Sequence, residues 1–190
     1  MKSPSHCFLF AAALALGSLS HLPAEAPATV AFPNSIHPVS AWTQPGSPNP
    51  NQPFVVDGPL TAAESASPIN FEIALKMRNI AELEARINKG EHVSPQELDA
   101  KYNPLPSDQK ALAAWLLDQG FTITQRSTLA LFAGGTIGQV EKAMQVRFAH
   151  VSFGGQISLS AITPPHLPAS FAAAVLGITG LQPYAQPQKN

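Results

Sequence analysis

The chain has few of the residue types that support covalent or ionic chemistry. Its 190 residues include a single cysteine, Cys7, and only 12% are charged. One cysteine excludes an intramolecular disulfide and a multi-thiolate metal site. The 11 basic and 12 acidic side chains nearly cancel, so no net charge favours nucleic acid or an anionic lipid surface as a partner.

Charged residues are also scarce at both ends of the chain. Only two precede Asp57, and no acidic residue follows Glu141. The central part therefore carries the ordinary solvated surface of a globular domain. A length of 190 residues is typical of one domain with extensions.

Residues 1–26 are predicted to be a secretory signal peptide. Lys2 provides a positive n-region and Phe8–Leu16 an apolar run, which is too short to span a bilayer. Ala24–Ala26 has a small-x-small cleavage pattern, although a proline follows it, and Ser18–Ser20 is an alternative. We expect a secreted or periplasmic protein without stable membrane insertion after signal removal; an uncleaved N-terminal anchor is the alternative.

Residues 27–68 are predicted to be a proline-rich disordered linker. Nine prolines interrupt this stretch, with serine, asparagine, glutamine and alanine between them. Such a composition buries too little apolar surface to offset the entropy lost on ordering. Trp42 and Phe54–Val56 are exceptions that could dock locally.

Regular periodicity begins at Ile69. Apolar and polar residues alternate over Ile69–Arg78, which predicts a strand with one buried face. A helix is predicted to follow, capped by Asn79 and ended by Gly90. Its predicted apolar stripe consists of Ile80, Leu83 and Ile87.

Three further helix starts can be predicted from capping residues. Ser94–Glu97 and Thr136–Gln139 have the spacing of capping boxes. The first is expected to open a short helix to about Tyr102. Ser107 is expected to cap a longer helix that ends at Gly120.

The remaining patterns predict strands and one terminal helix. The predicted strands cover residues 121–125, 129–133, 146–153 and 157–161. Gly154 and Gly155 suit the hairpin turn between the last two, and a short helix is predicted over Ala169–Leu176. The order indicates an α+β fold: a ferredoxin-like split βαβ antiparallel sheet with helices on one face, plus an added C-terminal hairpin strand.

Several segments share their order and spacing with a known family. They are Leu75–Asn79, His92–Leu98, Ala113–Phe121, Gly135–Ala143, Pro165–Pro168 and Gly177–Leu181. Together they make residues 69–181 resemble the activation (pro) domain of sedolisin/kumamolisin serine-carboxyl peptidases. The loop between the first two helices is shorter than is usual there, and Met144 replaces a common aromatic residue.

The resemblance implies a Ser/Glu/Asp catalytic set in a domain that normally follows. The family's Gly-Thr-Ser-x-Ser motif is absent, the nearest match being Gly135–Ile137, and no glutamate is followed four residues later by aspartate. Residues 182–190 are expected to be a tail. We therefore predict a non-catalytic chain without a cofactor. A metal site is not expected either, because the histidines outside the signal and linker lack ligand spacing.

The resemblance also implies a function as folding chaperone and temporary inhibitor of a sedolisin-type catalytic domain. In that family the open face of the sheet packs on the peptidase. Strand alternation predicts that the partner-facing side chains here are Glu72, Ala74, Lys76 and Phe132. A slipped register would instead place Phe132 in the core.

Two other functional interpretations remain open. The chain could be the remnant of a truncated peptidase precursor, or a secreted binding module that reuses the fold. The acid-free C-terminal part contains His150, His166 and Lys189. Because histidine gains charge near pH 6.5, acid-triggered release from a partner is a further hypothesis.

Overall fold

The fold combines two four-stranded sheets with helices and a two-stranded ribbon. The structure is a computed structural model and describes residues 28–41, 49, 51–56 and 59–185. The predicted signal peptide, Cys7, Trp42 and the last five residues of the tail lie outside the described residues. Among the described helices, none has the length and apolarity needed to cross a membrane.

The secondary-structure elements are numbered here in chain order. The strands are β1 (Thr29–Ala31), β2 (Ser40–Ala41), β3 (Phe54–Val55), β4 (Pro68–Leu75), β5 (Thr122–Ser127), β6 (Ala130–Thr136), β7 (Phe148–Phe153), β8 (Gln156–Ala161), β9 (His166–Pro168) and β10 (Val175–Thr179). The helices are α1 (Ala62–Ser65), α2 (Ile80–Asn88), α3 (Pro95–Glu97, continued as a π-helical turn over Leu98–Tyr102), α4 (Pro106–Asp118) and α5 (Ile137–Met144).

The main sheet has the strand order β10-β4-β6-β5, and every neighbouring pair is antiparallel. The alternation predicted for β4 is confirmed, since one face is buried. Its buried residues are Ile69, Phe71, Ile73 and Leu75. They pack in one core with α4 and α5 through Leu112, Leu116, Val140 and Met144. The α+β class expected from the sequence is therefore observed.

The edge strand that pairs with β4 in this sheet is not the one that the sequence predicted. Residues 146–153 were expected there, but β7 lies in a second sheet of order β2-β3-β7-β8. β10 pairs with β4 instead, although Ala169–Leu176 was predicted to be helical. A single 3-10 turn forms at Ala169–Phe171 before the chain becomes extended. Alanine-rich local propensity favoured a helix, but burial of Val175 and Ile178 beside β4 overrides it.

Two predicted helix caps are wrong in detail. Asn79 occupies the predicted N-cap position of α2, but in a left-handed conformation (φ 48°) and without a side-chain capping hydrogen bond; its amide donates to the Lys101 carbonyl at 3.0 Å. α4 begins with Pro106, one residue before Ser107. Proline is favoured at the first helical position because its missing N–H would have no partner there.

The α2 stripe is only partly buried, whereas the predicted capping residues of α3 and α5 are confirmed. Leu83 is buried, but Ile80 and Ile87 are 45% and 58% exposed. Ser94 accepts from the Glu97 backbone N–H, and the capping box of Thr136–Gln139 is complete. Side-chain capping thus identified both helix starts correctly.

Part of the predicted disordered linker is folded onto the domain. We call residues 28–41 the N-terminal segment. It contributes β1, which pairs with β9, and Phe32, which is 8% exposed and belongs to the core. Farther along, β3 pairs with β7. The prolines prevented long strands, but the isolated apolar residues between them bury against distant parts of the chain.

Candidate partner-binding groove

A groove lies over the face of the main sheet opposite the core. Its volume is about 560 Å³. Its floor comes from β4, β5 and β6, and its walls come from the N-terminal segment and the chain after β10. The lining residues are Asn34, Ser35, Ile36, His37, Asn70, Phe71, Glu72, Thr124, Phe132, Thr179, Gly180, Gln182 and Ala185.

Two of the four predicted partner-facing residues meet in this groove. Glu72 on β4 stands directly opposite Phe132 on β6 in the strand register, and both are half-buried. The neighbours of Phe132 along β6, Leu131 and Ala133, are completely buried on the other face. Phe132 therefore follows the unshifted alternation that the sequence predicted.

The other two predicted residues do not line the groove. Ala74 pairs with Ala130 farther along the sheet. Lys76 follows the end of β4 and is exposed, and its ammonium group donates to the Ala172 carbonyl at 3.0 Å. This contact fastens the chain before β10 to the end of β4, which gives Lys76 a structural role.

The N-terminal wall of the groove is fixed by Ser35 and Gln182. The Ser35 hydroxyl accepts the backbone N–H of Ile178 on β10 at 2.9 Å. The Gln182 side chain accepts from the His37 N–H at 2.7 Å and donates to the His37 carbonyl at 3.0 Å. It also donates to the Ala161 carbonyl at 2.8 Å. We call residues 180–185, which follow β10, the exit chain. Gln182 is only 5% exposed, so one buried amide joins the N-terminal segment, the exit chain and β8.

The exit chain crosses β4 at Gly180. Its φ is +91°, and a Cβ atom there would stand 2.8 Å from the Asn70 carbonyl oxygen and 3.0 Å from the Phe71 Cα. Any other residue would meet both an unfavourable backbone conformation and a steric clash. Gly180, in the family-like segment Gly177–Leu181, therefore allows the chain to pass close to the sheet and form the second wall.

Sequence reasoning missed both walls of the groove. His37 and Gln182 are separated by 145 positions, and neither belongs to a periodic pattern or motif. Gly180, within the family-like segment Gly177–Leu181, was the one available signal. Only the folded chain brings these residues together.

A second polar cluster lies away from the groove, around the π-helical turn. The Arg78 guanidinium donates to the carbonyls of Asp99, Ala100 and Asn103 at 2.6–3.1 Å. These contacts satisfy carbonyls at the end of a helix, where no intrahelical donor remains. Arg78, just after β4, thus caps the end of the π-helical turn.

Ion pairs join α2 to α3 and the π-helical turn. Arg86 contacts Glu91 and Glu97, and Lys101 contacts Glu82. The Arg86 hydrogen bond lowers the pKa of the Glu97 carboxyl, and the Lys101 hydrogen bond lowers that of Glu82. The charged side chains of this region therefore pair with one another. The pairs link α2, whose one buried residue is Leu83, to the neighbouring turn.

His150 lies on the second sheet and contacts α1. Its Nε2 is 2.7 Å from a Glu64 carboxylate oxygen. The Thr61 backbone N–H and His150 both hydrogen-bond this carboxylate, and they lower the pKa of Glu64 from 4.5 to about 2. Within the described part of the chain, no group of three or more His, Cys, Asp or Glu side chains is placed to hold a metal ion.

The fold and the groove define a small α+β domain in which one face of the main sheet carries a carboxylate beside an aromatic ring. Comparison with known proteins identifies the family. Residues 59–184 match the family "Pro-kumamolisin, activation domain", so the chain belongs to that family. The match begins ten residues before Ile69 and includes the whole main sheet.

A curated protein, xanthomonalisin from Xanthomonas sp. (strain T-22), is similar to this chain. The two are 27% identical over 139 residues. The alignment covers 67% of this chain and 17% of xanthomonalisin. The chain thus corresponds to a small part of that longer protein.

Proposed function

We propose that this chain is a secreted, non-catalytic chaperone and inhibitor of a sedolisin-type serine peptidase. The single observation that carries the proposal is the open sheet face with Glu72 and Phe132 side by side, in a chain that belongs to a peptidase activation-domain family. Half-buried aromatic residues within polar surroundings are typical anchors of protein interfaces. In this proposal the catalytic domain covers the groove.

Secretion is part of the same proposal. The family is known from peptidase precursors, and the first residues of the chain combine a lysine with a short apolar run. Removal of residues 1–26 would leave a domain whose core is already complete from Phe32 onward. Mass spectrometry of the exported chain would identify the cleavage site.

Inhibition of a mature peptidase tests the proposal directly. The chain is titrated against a sedolisin-type peptidase from the same organism at pH 4 to 7. Tight, saturable inhibition is expected, and replacement of Phe132 by alanine should weaken it by roughly tenfold or more, as hot-spot truncations do. Ile87→Ala is the matched control, because Ile87 is exposed but lies on α2 outside the groove.

The outcome separates the proposal from its alternatives. A folded chain that inhibits none of the organism's sedolisin-type peptidases contradicts an inhibitory role and favours a remnant or an unrelated binding module. Acid-triggered release is read from the same titration: inhibition that weakens as histidine gains charge near pH 6.5 supports it. Inhibition that is equal from pH 4 to 7 contradicts it.

A further inference from the structure

Among the described residues, no basic side chain forms an ion pair with the Glu72 carboxylate in the groove. Glu72 is half-buried, and its carboxylate accepts a long hydrogen bond of 3.4 Å from the Thr179 hydroxyl. Across the residues that the structure describes, the ion pairs lie elsewhere, on Arg86, Lys101 and His150. A partly desolvated charge gains most when a ligand supplies the opposite charge.

The Phe132 ring beside this carboxylate limits the kinds of ligand group that fit the groove. Phe132 is the direct cross-strand neighbour of Glu72, and both line the same groove. The face of an aromatic ring attracts cations, and a carboxylate accepts hydrogen bonds from guanidinium or ammonium groups. A carboxylate next to an aromatic ring therefore favours an arginine or lysine side chain.

The remaining lining groups suit a peptide backbone. Amide and hydroxyl side chains surround the Glu72–Phe132 pair: Asn34, Asn70, Thr124 and Thr179. Such groups both donate and accept hydrogen bonds, as a peptide backbone requires. A volume of about 560 Å³ lies within the usual range for ligand sites.

We infer that the groove binds an extended segment of the partner protein through one arginine or lysine side chain, which lies between Glu72 and Phe132. The inference rests on the proposed function in taking the partner to be a protein. It adds the chemistry by which that partner is recognised: a basic residue on the surface that covers the sheet.

Blocked peptides test this recognition without any peptidase. The isotope-labelled full chain is titrated with acetyl-Ala-Arg-Ala-amide, and with the matched neutral peptide acetyl-Ala-Gln-Ala-amide, while backbone amide shifts are followed by NMR. The arginine peptide is expected to shift the amides around Glu72, Phe132 and Thr179. The glutamine peptide is expected to bind at least about fivefold more weakly, because it lacks the charge.

Variants of the chain locate the site. Glu72→Gln should weaken binding of the arginine peptide by about tenfold, the effect expected for losing a charged hydrogen-bond partner. Glu84→Gln is the matched control, because Glu84 is an exposed carboxylate on α2 that does not line the groove; it should leave the affinity unchanged. Acetyl-arginine-amide should bind more weakly than the tripeptide, since it offers less backbone to the groove walls.

Several outcomes would overturn the inference. Equal binding of the two tripeptides, or amide shifts that lie away from the groove, would overturn it. So would an unchanged affinity of the arginine tripeptide for Glu72→Gln, or equal affinities for acetyl-arginine-amide and the arginine tripeptide. Binding that appears only after deletion of residues 186–190 would assign the groove to the chain's own Lys189 and also overturn it. Failure of the peptide experiment with intact peptidase inhibition would reject this recognition alone, whereas peptide binding without inhibition would reject the proposed function alone.

Discussion

The main sheet and the N-terminal segment share one core but are held in it by different means. The main sheet is joined by long antiparallel registers such as the seven residue pairs of β4 and β6. The N-terminal segment has three pairs between β1 and β9, the side chain of Phe32, and the polar contacts of Ser35 and Gln182. The difference shows that a proline-rich segment can belong to a domain through a few well-placed contacts.

The largest effect is expected in the main sheet, at Gly180, where the chain that follows β10 passes close to β4. Gly180→Ala should lower the free energy of unfolding by about 3 kcal/mol or more, because it adds a backbone clash to an unfavourable positive φ. Urea denaturation of the purified variants measures the loss. Gly90→Ala is the control: its φ is also positive (+75°), but a Cβ there would meet no atom within 4 Å, so about 1 kcal/mol is expected. Equal losses of unfolding free energy in the two variants would show that the steric clash with β4 adds nothing to the cost of the positive φ.

Phe32 tests whether the N-terminal segment is truly part of the core. Phe32→Ala should cost about 3 kcal/mol, as aromatic truncations in cores do, and unfolding should remain a single transition. Ile87→Ala should change the stability by no more than about 0.5 kcal/mol, because Ile87 is 58% exposed. A small loss of unfolding free energy in Phe32→Ala would mean that the main sheet is stable without the N-terminal segment.

Gln182 tests the polar connection between the regions. Gln182→Leu keeps the volume roughly constant but removes three hydrogen bonds and leaves the His37 N–H and the Ala161 carbonyl without this partner. A loss of about 2 kcal/mol is expected because these groups are sheltered from water. Gln109→Leu provides a comparison with one exposed hydrogen bond, to Ser127, and should cost less than about 1 kcal/mol. Similar losses would contradict a special role of the buried amide.

The smallest effect is expected at Glu64, which links α1 to the second sheet. Its pKa is lowered from 4.5 to about 2 by the Thr61 N–H and by His150, so the unfolded chain binds a proton more readily than the folded one. The stabilisation is fully present above pH 4.5 and is lost as the pH falls to about 2. Melting temperatures of wild type and Glu64→Gln should therefore differ above pH 4.5 and converge toward pH 2. Parallel profiles over that range would contradict this linkage.

Local patterns predicted much of the helix-backed sheet but little of the groove. The alternation in β4 and the capping residues before α3 and α5 indicated elements that the structure contains. Phe132 and Glu72 could be assigned to one face because the period of a strand is two residues. The groove walls could not be predicted, since their residues carry no local signal and meet only through distant contacts.

β10, which lies partly in a stretch predicted to be helical, shows the limit of propensity. Alanine-rich residues before Val175 favour a helix. As a strand, however, β10 supplies hydrogen-bond partners to the edge of β4 and buries Val175 and Ile178 in the core. Backbone groups at a sheet edge are satisfied by another strand more completely than by a short helix nearby. The tertiary structure therefore overrode a local preference worth only a few tenths of a kcal/mol per residue.

The sequence by itself determined the α+β class, the buried face of β4, two of the helix starts and the family resemblance, because these depend on periodicity and capping within short windows. Only the tertiary structure decided which strand completed the main sheet, that residues 28–41 of the proline-rich region join the core, and which side chains form the walls of the groove. Those features depend on contacts between residues far apart in the chain, as between His37 and Gln182, and such contacts form only when the whole core assembles.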